Sequence, residues 1–369
     1  MMKLLLNYWR KVIILAVVCL AIASCARNPA NQLARELYPK FGHLSAPEHN
    51  FEQLWHLFDQ HYAFFELKGV NWDSVYQQYR PLITANTSED SLLHHFAAML
   101  NPLRDGHVRL TRADTNVISL ERRPCHFARE FRDRLRDFQE NTFALLSQNG
   151  FAEIQHQIPI PGYVELGFDH LYSYTQSSKL GYLRIVDCRN ALAAFDRIIN
   201  ELSGTKGLII DLRYNLGGEV GKEMAARFLS ASKVYGYLKT KQPKGFTEPI
   251  PLEQKPSGTQ YTPPIVILIN DATFSAAEEF VLVLAKESHV KLMGSATGGY
   301  LSDAFTYRLP NGIVVSLSNQ QYLDLDYQLL EDQGIQPTHT LSNSLKELEA
   351  GKDAVLEQAI QLLKNGSNQ

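Results

Sequence analysis

Ile265-Val266-Ile267-Leu268-Ile269 runs directly into Asn270-Asp271-Ala272-Thr273-Phe274-Ser275, and a long apolar segment from Ala276 to Lys286 follows. The first five residues are apolar and mostly β-branched, which is typical of a strand covered on both faces of its sheet. The segment after Ser275 is apolar on most sides and long enough for a buried helix. We therefore expect Ser275 at a sharp strand-to-helix turn, where free N–H groups and the helix dipole favour a developing negative charge.

Ser275 can have either of two roles at such a turn. Serine is a common N-cap residue, and a capping hydroxyl is purely structural. A hydroxyl presented at a sharp turn beside free N–H groups can also act as a nucleophile. The segment taken alone favours capping, so the choice depends on the rest of the chain.

Strand and helix patterns alternate from Gly181 onward. Strand patterns at residues 182–186 and 208–212 flank an amphipathic helix pattern at 192–202, and another strand pattern follows at 290–294. Such alternation predicts βαβ crossovers and a sheet with substantial parallel pairing. Sites in these sheets lie at the carboxyl ends of the strands. The segments 211–218 and 270–275 are both such ends.

The part of the chain before this core has its own pattern. Residues 51–110 carry aromatic and aliphatic side chains at three- and four-residue steps, which predicts an N-terminal helical subdomain. It ends in the turn Asp105-Gly106-His107. Residues 111–177 form a connecting region with no clear PDZ-like peptide-binding module, and residues 178–369 form the predicted core.

Composition excludes several classes of function. The chain has 369 residues, 45% hydrophobic and 20% charged, which is ordinary for a globular protein. A formal net charge of -3 gives no reason to expect nucleic acid or an anionic membrane surface as a partner. The sequence contains no metal-ligand cluster, phosphate loop or dinucleotide fingerprint, so it implies no metal and no cofactor.

The N-terminus has the pattern of an export signal. Basic residues precede an apolar run at residues 12–22, which is short for a membrane span, and Ile22-Ala23-Ser24-Cys25 resembles a bacterial lipobox. We expect residues 1–25 to be a lipoprotein signal peptide, Cys25 to be lipidated and residues 26–50 to be a tether; an uncleaved membrane anchor is the alternative. Ala26 favours the outer membrane of a bacterial envelope, facing the periplasm. Cys125 and Cys188 would remain in the folded body, and the sequence leaves open whether they pair.

Several motifs together resemble one family. Asp211-Leu212-Arg213-Tyr214-Asn215-Leu216-Gly217-Gly218 is similar to a signature of the tail-specific and tricorn-type serine peptidases. The segment ending in Asp105-Gly106-His107 is similar to the tricorn-like and retinoid-binding-protein-like branch. The resemblance implies a ClpP/crotonase-like α/β fold with a ββα core and an N-terminal helical subdomain. The other matching segments are Phe274–Glu278, Thr297-Gly298, Leu309–Gly312, Glu331–Pro337 and Gly351–Leu356.

This resemblance implies acyl transfer on Ser275. The serine attacks the scissile carbonyl, and two backbone N–H groups hold the oxyanion. Ala276 supplies one N–H group, and Gly217 or Gly218 supplies the other, because a residue without Cβ lets the backbone approach the substrate closely. Alone, the two glycines would equally fit a structural turn.

The general base separates the two branches of the family. The resemblance places Tyr300 where the tail-specific branch has its lysine. A tyrosine, with an ordinary pKa of about 10, is a poor base at neutral pH. Lys286 is the nearest alternative, but eleven residues along the helix place it about 16 Å away, too far for proton transfer. The tricorn-like branch implies His107 as base and Glu331 as the group that orients it.

Some alternatives remain open at this point. The tricorn branch has a relay serine before its histidine, but this chain has Gly106, so Asp105 or a direct Glu331 contact would replace the relay. His339 is the runner-up for the base, and His107 could instead be a structural turn residue. Arg213 and Glu278 are expected to make structural ion-pair or helix-cap contacts, because buried charges require partners.

Three functions fit the sequence. The first is an exported, lipid-anchored serine peptidase that acts on peptides or unfolded proteins. The second is a catalytically silent protein that keeps the fold and binds a peptide or an apolar ligand. The third, a crotonase-like enzyme, needs an acyl-thioester site that the sequence does not offer. The first is the prediction, and the oligomeric state stays open.

Overall fold

The structure is a computed structural model that describes residues 41, 43–112, 116–118, 120, 123–131, 134–160, 168–215 and 217–366. The predicted signal peptide, with Cys25, lies outside the described residues. The described chain divides into two units. The first contains the described residues before Arg123, with Lys241–Gly245 and Ala304–Asn319; the second contains Arg123–Thr240, Phe246–Asp303 and the described residues from Gln320 onward.

The first unit begins with a helix that starts earlier than expected. This helix, α1, begins at Ala46, inside the segment predicted to be tether. The Ser45 N–H donates to Glu48 Oε2 at 3.3 Å, and Pro47 lies in the first turn, where its missing N–H costs nothing. These start signals are local, whereas the prediction followed only the aromatic stripe. The helices of this unit are α1 Ala46–His61, α2 Phe65–Lys68, α3 Trp72–Tyr79 and α4 Glu89–Leu100.

A small antiparallel sheet completes the described part of the first unit. Its four strands have the order β11-β12-β1-β2, so that segments some 200 residues apart pair side by side, with Leu110 opposite Val315. The sequence-based division put residues 304–318 in the core and 111–118 in the connecting region. Local patterns carry no information on such distant pairing. The strands are β1 Arg109–Arg112, β2 Asn116–Ile118, β11 Ala304–Arg308 and β12 Val314–Ser318.

The second unit contains a mixed sheet of seven strands among the described residues, in the order β14-β10-β9-β6-β5-β4-β3. The five strands from β14 to β5 are parallel, and β4 and β3 add antiparallel at one edge. Two strands thus come from the region predicted to be a connection. The strands are β3 Gln155–Pro159, β4 His170–Gln176, β5 Leu180–Ile185, β6 Gly207–Asp211, β9 Ile265–Ile269, β10 Val290–Gly294 and β14 His339–Thr340.

Helices cover both faces of this sheet, in agreement with the fully buried central strands β5, β6 and β9. Alternate residues of β9 enter separate apolar clusters, with Ile267 in one and Val266 in the other. The first cluster includes α7 and α9, and the second includes α11. The helices of this unit are α5 His126–Phe131, α6 Leu135–Gln148, α7 Leu192–Leu202, α8 Gly221–Ala225, α9 Ala276–Leu284, α10 Leu345–Glu349 and α11 Ala354–Gly366.

A second sheet of the same unit pairs three described strands in the order β13-β7-β8. Among the helices of the described residues, none combines the length and the apolar character that a membrane span requires. The strands are β7 Lys233–Thr240, β8 Ile250–Gln254 and β13 Gln320–Leu323.

Candidate active site

Ser275 lies at the end of a short loop between β9 and α9, as the sequence predicts. Its backbone has φ 54° and ψ -121°, a conformation that residues other than glycine rarely adopt. The loop before it is fixed by Thr273, whose hydroxyl donates to the Leu212 carbonyl at 3.0 Å and accepts the Asn270 N–H at 3.1 Å. This arrangement ties the ends of β9 and β6 together and holds Ser275 at the carboxyl edge of the sheet.

Gly217 packs directly against the serine. A Cβ at this position, where φ is 84°, would lie 2.8 Å from Ser275 Cβ, so only glycine fits. The Gly217 N–H donates to Asn215 Oδ1 at 2.9 Å, and its carbonyl accepts the Cys188 N–H at 2.6 Å. Gly217 therefore shapes the wall beside the nucleophile, and its N–H is already engaged within the loop.

Gly218 differs from Gly217 in its exposure and in its backbone N–H. It is exposed, and its φ is 134°; an added Cβ would lie 2.4 Å from the carbonyl carbon of Cys188. Within the described part of the chain, neither the Gly218 N–H nor the Ala276 N–H has a backbone or side-chain acceptor. The sequence left the choice between Gly217 and Gly218 open, and the hydrogen bond to Asn215 argues against Gly217.

Glu278 caps the first turn of α9. Its Oε2 accepts the Ser275 N–H at 3.1 Å and the Tyr300 N–H at 2.8 Å, while Oε1 accepts the Thr297 hydroxyl at 2.6 Å and the Gly299 N–H at 2.7 Å. The side chain is fully buried. Burial raises the pKa of Glu278, and the hydrogen bonds from its four donors oppose that rise. The expected helix-cap role of this residue is confirmed.

Tyr300 occupies the position of the family lysine and is packed between two side chains. Its ring lies 5.1 Å from the Phe274 ring, centroid to centroid, and the Arg123 guanidinium lies 4.7 Å from the Tyr300 ring centroid. Arg123 also donates to the Asp332 carbonyl at 2.6 Å and to the Gly298 carbonyl. Arg123 lies outside every motif of the sequence, so it was not among the predicted site residues.

Glu331 lies in the same unit as Ser275, in the turn before β14. It is buried, and its Oε2 accepts the Leu301 N–H at 3.2 Å. The next residue, Asp332, donates its N–H to the Gly299 carbonyl at 2.9 Å. The turn that carries Glu331 is therefore bonded to the loop that Glu278 holds.

His107 belongs to the first unit and is buried in a tight turn before β1. Its backbone N–H donates to Asp105 Oδ1 at 2.8 Å, and its carbonyl accepts the Ser316 hydroxyl at 2.6 Å. Asp105 Oδ2 accepts the Tyr62 hydroxyl at 3.1 Å. Both carboxylate oxygens of Asp105 are thus engaged, one by the backbone of the turn and the other by Tyr62, which argues against Asp105 as the relay to the imidazole.

His339, the alternative base, lies on the edge strand β14. It pairs with Met293 of β10, and its side chain is half-buried. Nδ1 lies 3.1 Å from the hydroxyl of Thr338. This is a local contact between neighbouring residues, and it supplies no acidic group to orient the ring.

A network of buried charges lies beneath the glycine loop. Arg213 donates to Asp211 Oδ2 at 2.7 Å and to Asp353 Oδ1 at 2.8 Å, and Arg184 lies 3.6 Å from Asp211. Two cations and two carboxylates balance in charge. Burial alone would raise the pKa of Asp211, but Arg213 and Arg184 outweigh it and lower that pKa to about 2. Arg213 pairs with these carboxylates, so Glu278 is not its partner.

The two cysteines of the folded body do not pair. Cys188 is buried beside Asn215, whereas Cys125 is half-buried and its Sγ lies 3.5 Å from Asp271 Oδ1. Burial raises the pKa of the Cys188 thiol to about 12. Cys125 and Cys188 thus form no disulfide with each other.

A cavity of about 550 Å³ also opens within the second unit. Arg123, Phe131, Asn270 and Tyr300 are among its lining residues. In the described segments, no group of three or more histidine, cysteine, aspartate or glutamate side chains is placed to hold one metal ion.

Known proteins share both the sequence pattern and the fold. Residues 179–341 match the model of peptidase family S41, and residues 46–101 match that of the tricorn protease C1 domain. The core of the chain therefore resembles peptidase family S41. The predicted family resemblance and the predicted fold class are thereby confirmed, and the match to the S41 model supports the predicted enzyme class, a serine-type peptidase.

Three similar proteins illustrate the relationship. The carboxy-terminal processing protease CtpA of Bacillus subtilis is 28% identical over 172 residues, 45% of this chain and 36% of the relative. A crystal structure of a candidate peptidase from Parabacteroides merdae is 28% identical, with a TM-score of 0.68, over 86% of this chain and 97% of that chain. The tricorn protease shares the fold at 16% identity and a TM-score of 0.54, over 87% of this chain and 37% of that chain. This chain spans between 32% and 44% of the length of the curated relatives that it matches.

Proposed function

We propose that this chain is a serine peptidase that hydrolyses peptide bonds through an acyl-enzyme on Ser275. The observation that carries the proposal is the backbone of Ser275, held at φ 54° between β9 and α9. Such a conformation costs of order 1–3 kcal/mol and clusters at functional sites, where the surrounding structure enforces it. The match of residues 179–341 to the model of peptidase family S41 supports the same reaction.

The first step is attack by the hydroxyl. Ser275 Oγ forms a bond to the scissile carbonyl carbon, and the carbonyl oxygen becomes an oxyanion. The backbone N–H groups of Ala276 and Gly218 are the proposed donors to that oxyanion. One such donor contributes about 100- to 1000-fold to turnover. Gly217 supports the step by leaving room for Ser275 at the wall of the site.

We propose His107 as the general base. It takes the Ser275 proton and returns it to the leaving amine as the C–N bond breaks; water then hydrolyses the ester and restores the serine. Imidazole titrates near neutrality, which suits both directions of this transfer. The Asp105-Gly106-His107 motif and the rigid turn that Asp105 holds support the assignment. Glu331, a buried carboxylate, is proposed to orient the base.

The proposed substrates are peptides or unfolded proteins. CtpA of Bacillus subtilis is named a carboxy-terminal processing protease, which supports cleavage of protein substrates by this chain. We further propose that residues 1–25 are removed, that Cys25 is lipidated and that the enzyme faces the periplasm from the outer membrane. These last proposals rest on the lipobox-like segment and on Ala26.

Hydrolysis of an unfolded protein tests the assignment of roles. Wild type should cleave it, whereas Ser275→Ala and His107→Ala should each lose at least about 1000-fold in kcat. His339→Ala serves as the matched control and should keep near-wild-type activity. Activity that survives in Ser275→Ala would rule out Ser275 as the nucleophile. Activity that is lost in His339→Ala but kept in His107→Ala would identify His339 as the general base. If the folded wild type hydrolyses no substrate, the result supports the alternative function, a catalytically silent binding protein.

Labelling with a fatty-acid analogue in the producing bacterium tests the anchor. Wild type should incorporate the analogue, and Cys25→Ser should not. Equal incorporation by both proteins would contradict lipidation at Cys25.

A further inference from the structure

One buried carboxylate holds the nucleophile turn and a neighbouring loop together. Glu278 accepts the N–H of Ser275 from the turn, and it accepts the Thr297 hydroxyl, the Gly299 N–H and the Tyr300 N–H from the loop. These four hydrogen bonds have lengths from 2.6 to 3.1 Å. Their geometry joins two segments, one ending at Ser275 and the other beginning at Thr297, between which 21 residues of chain lie.

The bonding pattern fits an ionised carboxylate. Three of the four donors to Glu278 are backbone N–H groups, which can only donate, so each oxygen must accept. Within the described residues, no lysine or arginine forms an ion pair with Glu278. A fully buried charge is costly unless hydrogen bonds compensate it. The four donors supply that compensation, so removing Glu278 would leave them unpaired.

The loop that Glu278 holds also contacts the turn of Glu331. Thr297 Oγ1 accepts the Ile335 N–H at 2.7 Å, and Leu301 donates its N–H to Glu331 at 3.2 Å. The same loop returns to the nucleophile turn, where the Gly298 N–H donates to the Thr273 carbonyl at 2.9 Å. A continuous set of hydrogen bonds thus connects Ser275 with Glu331, and Glu278 lies at its centre.

We propose that Glu278 is a positioning residue that fixes Ser275 for attack. The inference rests on the proposed function, with Ser275 as nucleophile. By binding the Ser275 N–H, the carboxylate offsets the cost of the positive φ and sets the direction of both the hydroxyl and the Ala276 N–H. Glu278 does not touch the substrate. Its loss should therefore slow the chemical step and leave substrate binding almost unchanged.

Glu278→Gln is the direct test, because glutamine keeps the shape but turns one acceptor oxygen into an NH2 group that faces two donors. We expect kcat and the rate of Ser275 labelling by a fluorophosphonate to fall about 100-fold, the effect of a misplaced reacting group. KM should change little. Glu279→Gln is the matched control: Glu279 is the next residue of α9, and its Oε1 accepts the Tyr235 hydroxyl at 2.8 Å, away from the turn. This control should keep near-wild-type kcat and labelling rate.

A second pair of variants tests the same role in case Glu278→Gln does not fold. Thr297→Val removes one of the four donors, and we expect an about 10-fold slower labelling rate, because one hydrogen bond to a charged group is lost. Thr297→Ser keeps the hydroxyl and should label like wild type. Circular dichroism confirms that each variant compared is folded.

The outcomes separate the two proposals. If Glu278→Gln and Thr297→Val are labelled as fast as wild type, Glu278 does not position Ser275. The proposed function is not contradicted by that result. A fall in kcat equally large in Glu279→Gln, or a change confined to KM, also overturns the positioning role. A folded wild type that takes no label contradicts the proposed function, and the positioning role with it.

Discussion

Gly218 has a φ that residues with a side chain rarely adopt, and the Cys188 backbone lies close to where its Cβ would be. At φ 134°, a side chain would be strained, and its Cβ would lie 2.4 Å from the Cys188 backbone. Gly218→Ala must therefore shift the loop and move the proposed oxyanion donor. We expect kcat/KM to fall about 100-fold, as on loss of one oxyanion donor. Steady-state peptide hydrolysis measures this change.

Gly69→Ala is the control for backbone strain alone. Gly69 also has positive φ, 63°, but nothing lies within 4 Å of the added Cβ. Its substitution should cost some stability and leave kcat/KM unchanged. If Gly218→Ala behaves like Gly69→Ala, the loop around Gly218 has no part in catalysis.

The sequence predicted the residue types of this site better than their individual roles. Ser275 at a strand-to-helix turn follows from local patterns, because hydrophobic periodicity locates both elements. The choice between Gly217 and Gly218 does not, since it depends on the hydrogen bond from Gly217 to Asn215. Arg123 could not be found at all, because its contacts come from loops that are distant in sequence.

At the scale of elements, α5 is held at its N-terminus by a residue of the nucleophile loop. Asp271 accepts the N–H of His126 and, at 3.1 Å, the N–H of Phe127. Asp271→Ala removes this cap, and we expect the free energy of unfolding to fall by about 1 kcal/mol. Hydrogen exchange should become faster in 123–131, because the segment loses its attachment to the loop.

Asp326→Ala is the control for Asp271→Ala, since Asp326 is an exposed residue of a surface turn. It should leave exchange in 123–131 unchanged. Unchanged exchange in Asp271→Ala as well would show that Asp271 does not hold α5.

The elements of the parallel core were predictable because each carries its own local pattern. The helix pattern at 192–202 and the strand pattern at 265–269 coincide with α7 and β9. The pairing of β1 with β12 and the addition of β3 and β4 to the core sheet were not predictable. Antiparallel partners are chosen by tertiary contacts across long stretches of chain, which local periodicity does not contain.

At the scale of the whole molecule, the C-terminal helix α11 is linked to the core sheet through buried charges. Asp353, immediately before α11, accepts two hydrogen bonds from Arg213, which also binds Asp211. Asp353→Asn leaves a buried positive charge uncompensated. We expect the free energy of unfolding at pH 7 to fall by about 3–5 kcal/mol. Urea denaturation followed by circular dichroism measures it, with Asp326→Asn as the exposed control.

The same network predicts an acid dependence of stability. The pKa of Asp211 is lowered to about 2 from an ordinary value of 3.8, so the folded state favours the ionised form. Its contribution, about 2 kcal/mol, is complete above about pH 4 and is lost as the pH falls towards 2. Burial would raise the pKa of Asp353, but Arg213 outweighs burial and lowers it. Asp353 of wild type therefore also loses its charge as the pH falls below about 4, and the stability difference between wild type and Asp353→Asn should shrink. A difference that stays constant down to pH 2 would contradict the account.

Covalent labelling of Ser275 tests the nucleophile most directly. The folded protein is treated with a fluorophosphonate, and mass spectrometry of the digested protein locates the adduct. The account predicts one adduct, on Ser275, in wild type, and none in Ser275→Ala. A folded wild type that stays unlabelled, or an adduct that persists in Ser275→Ala, would contradict it.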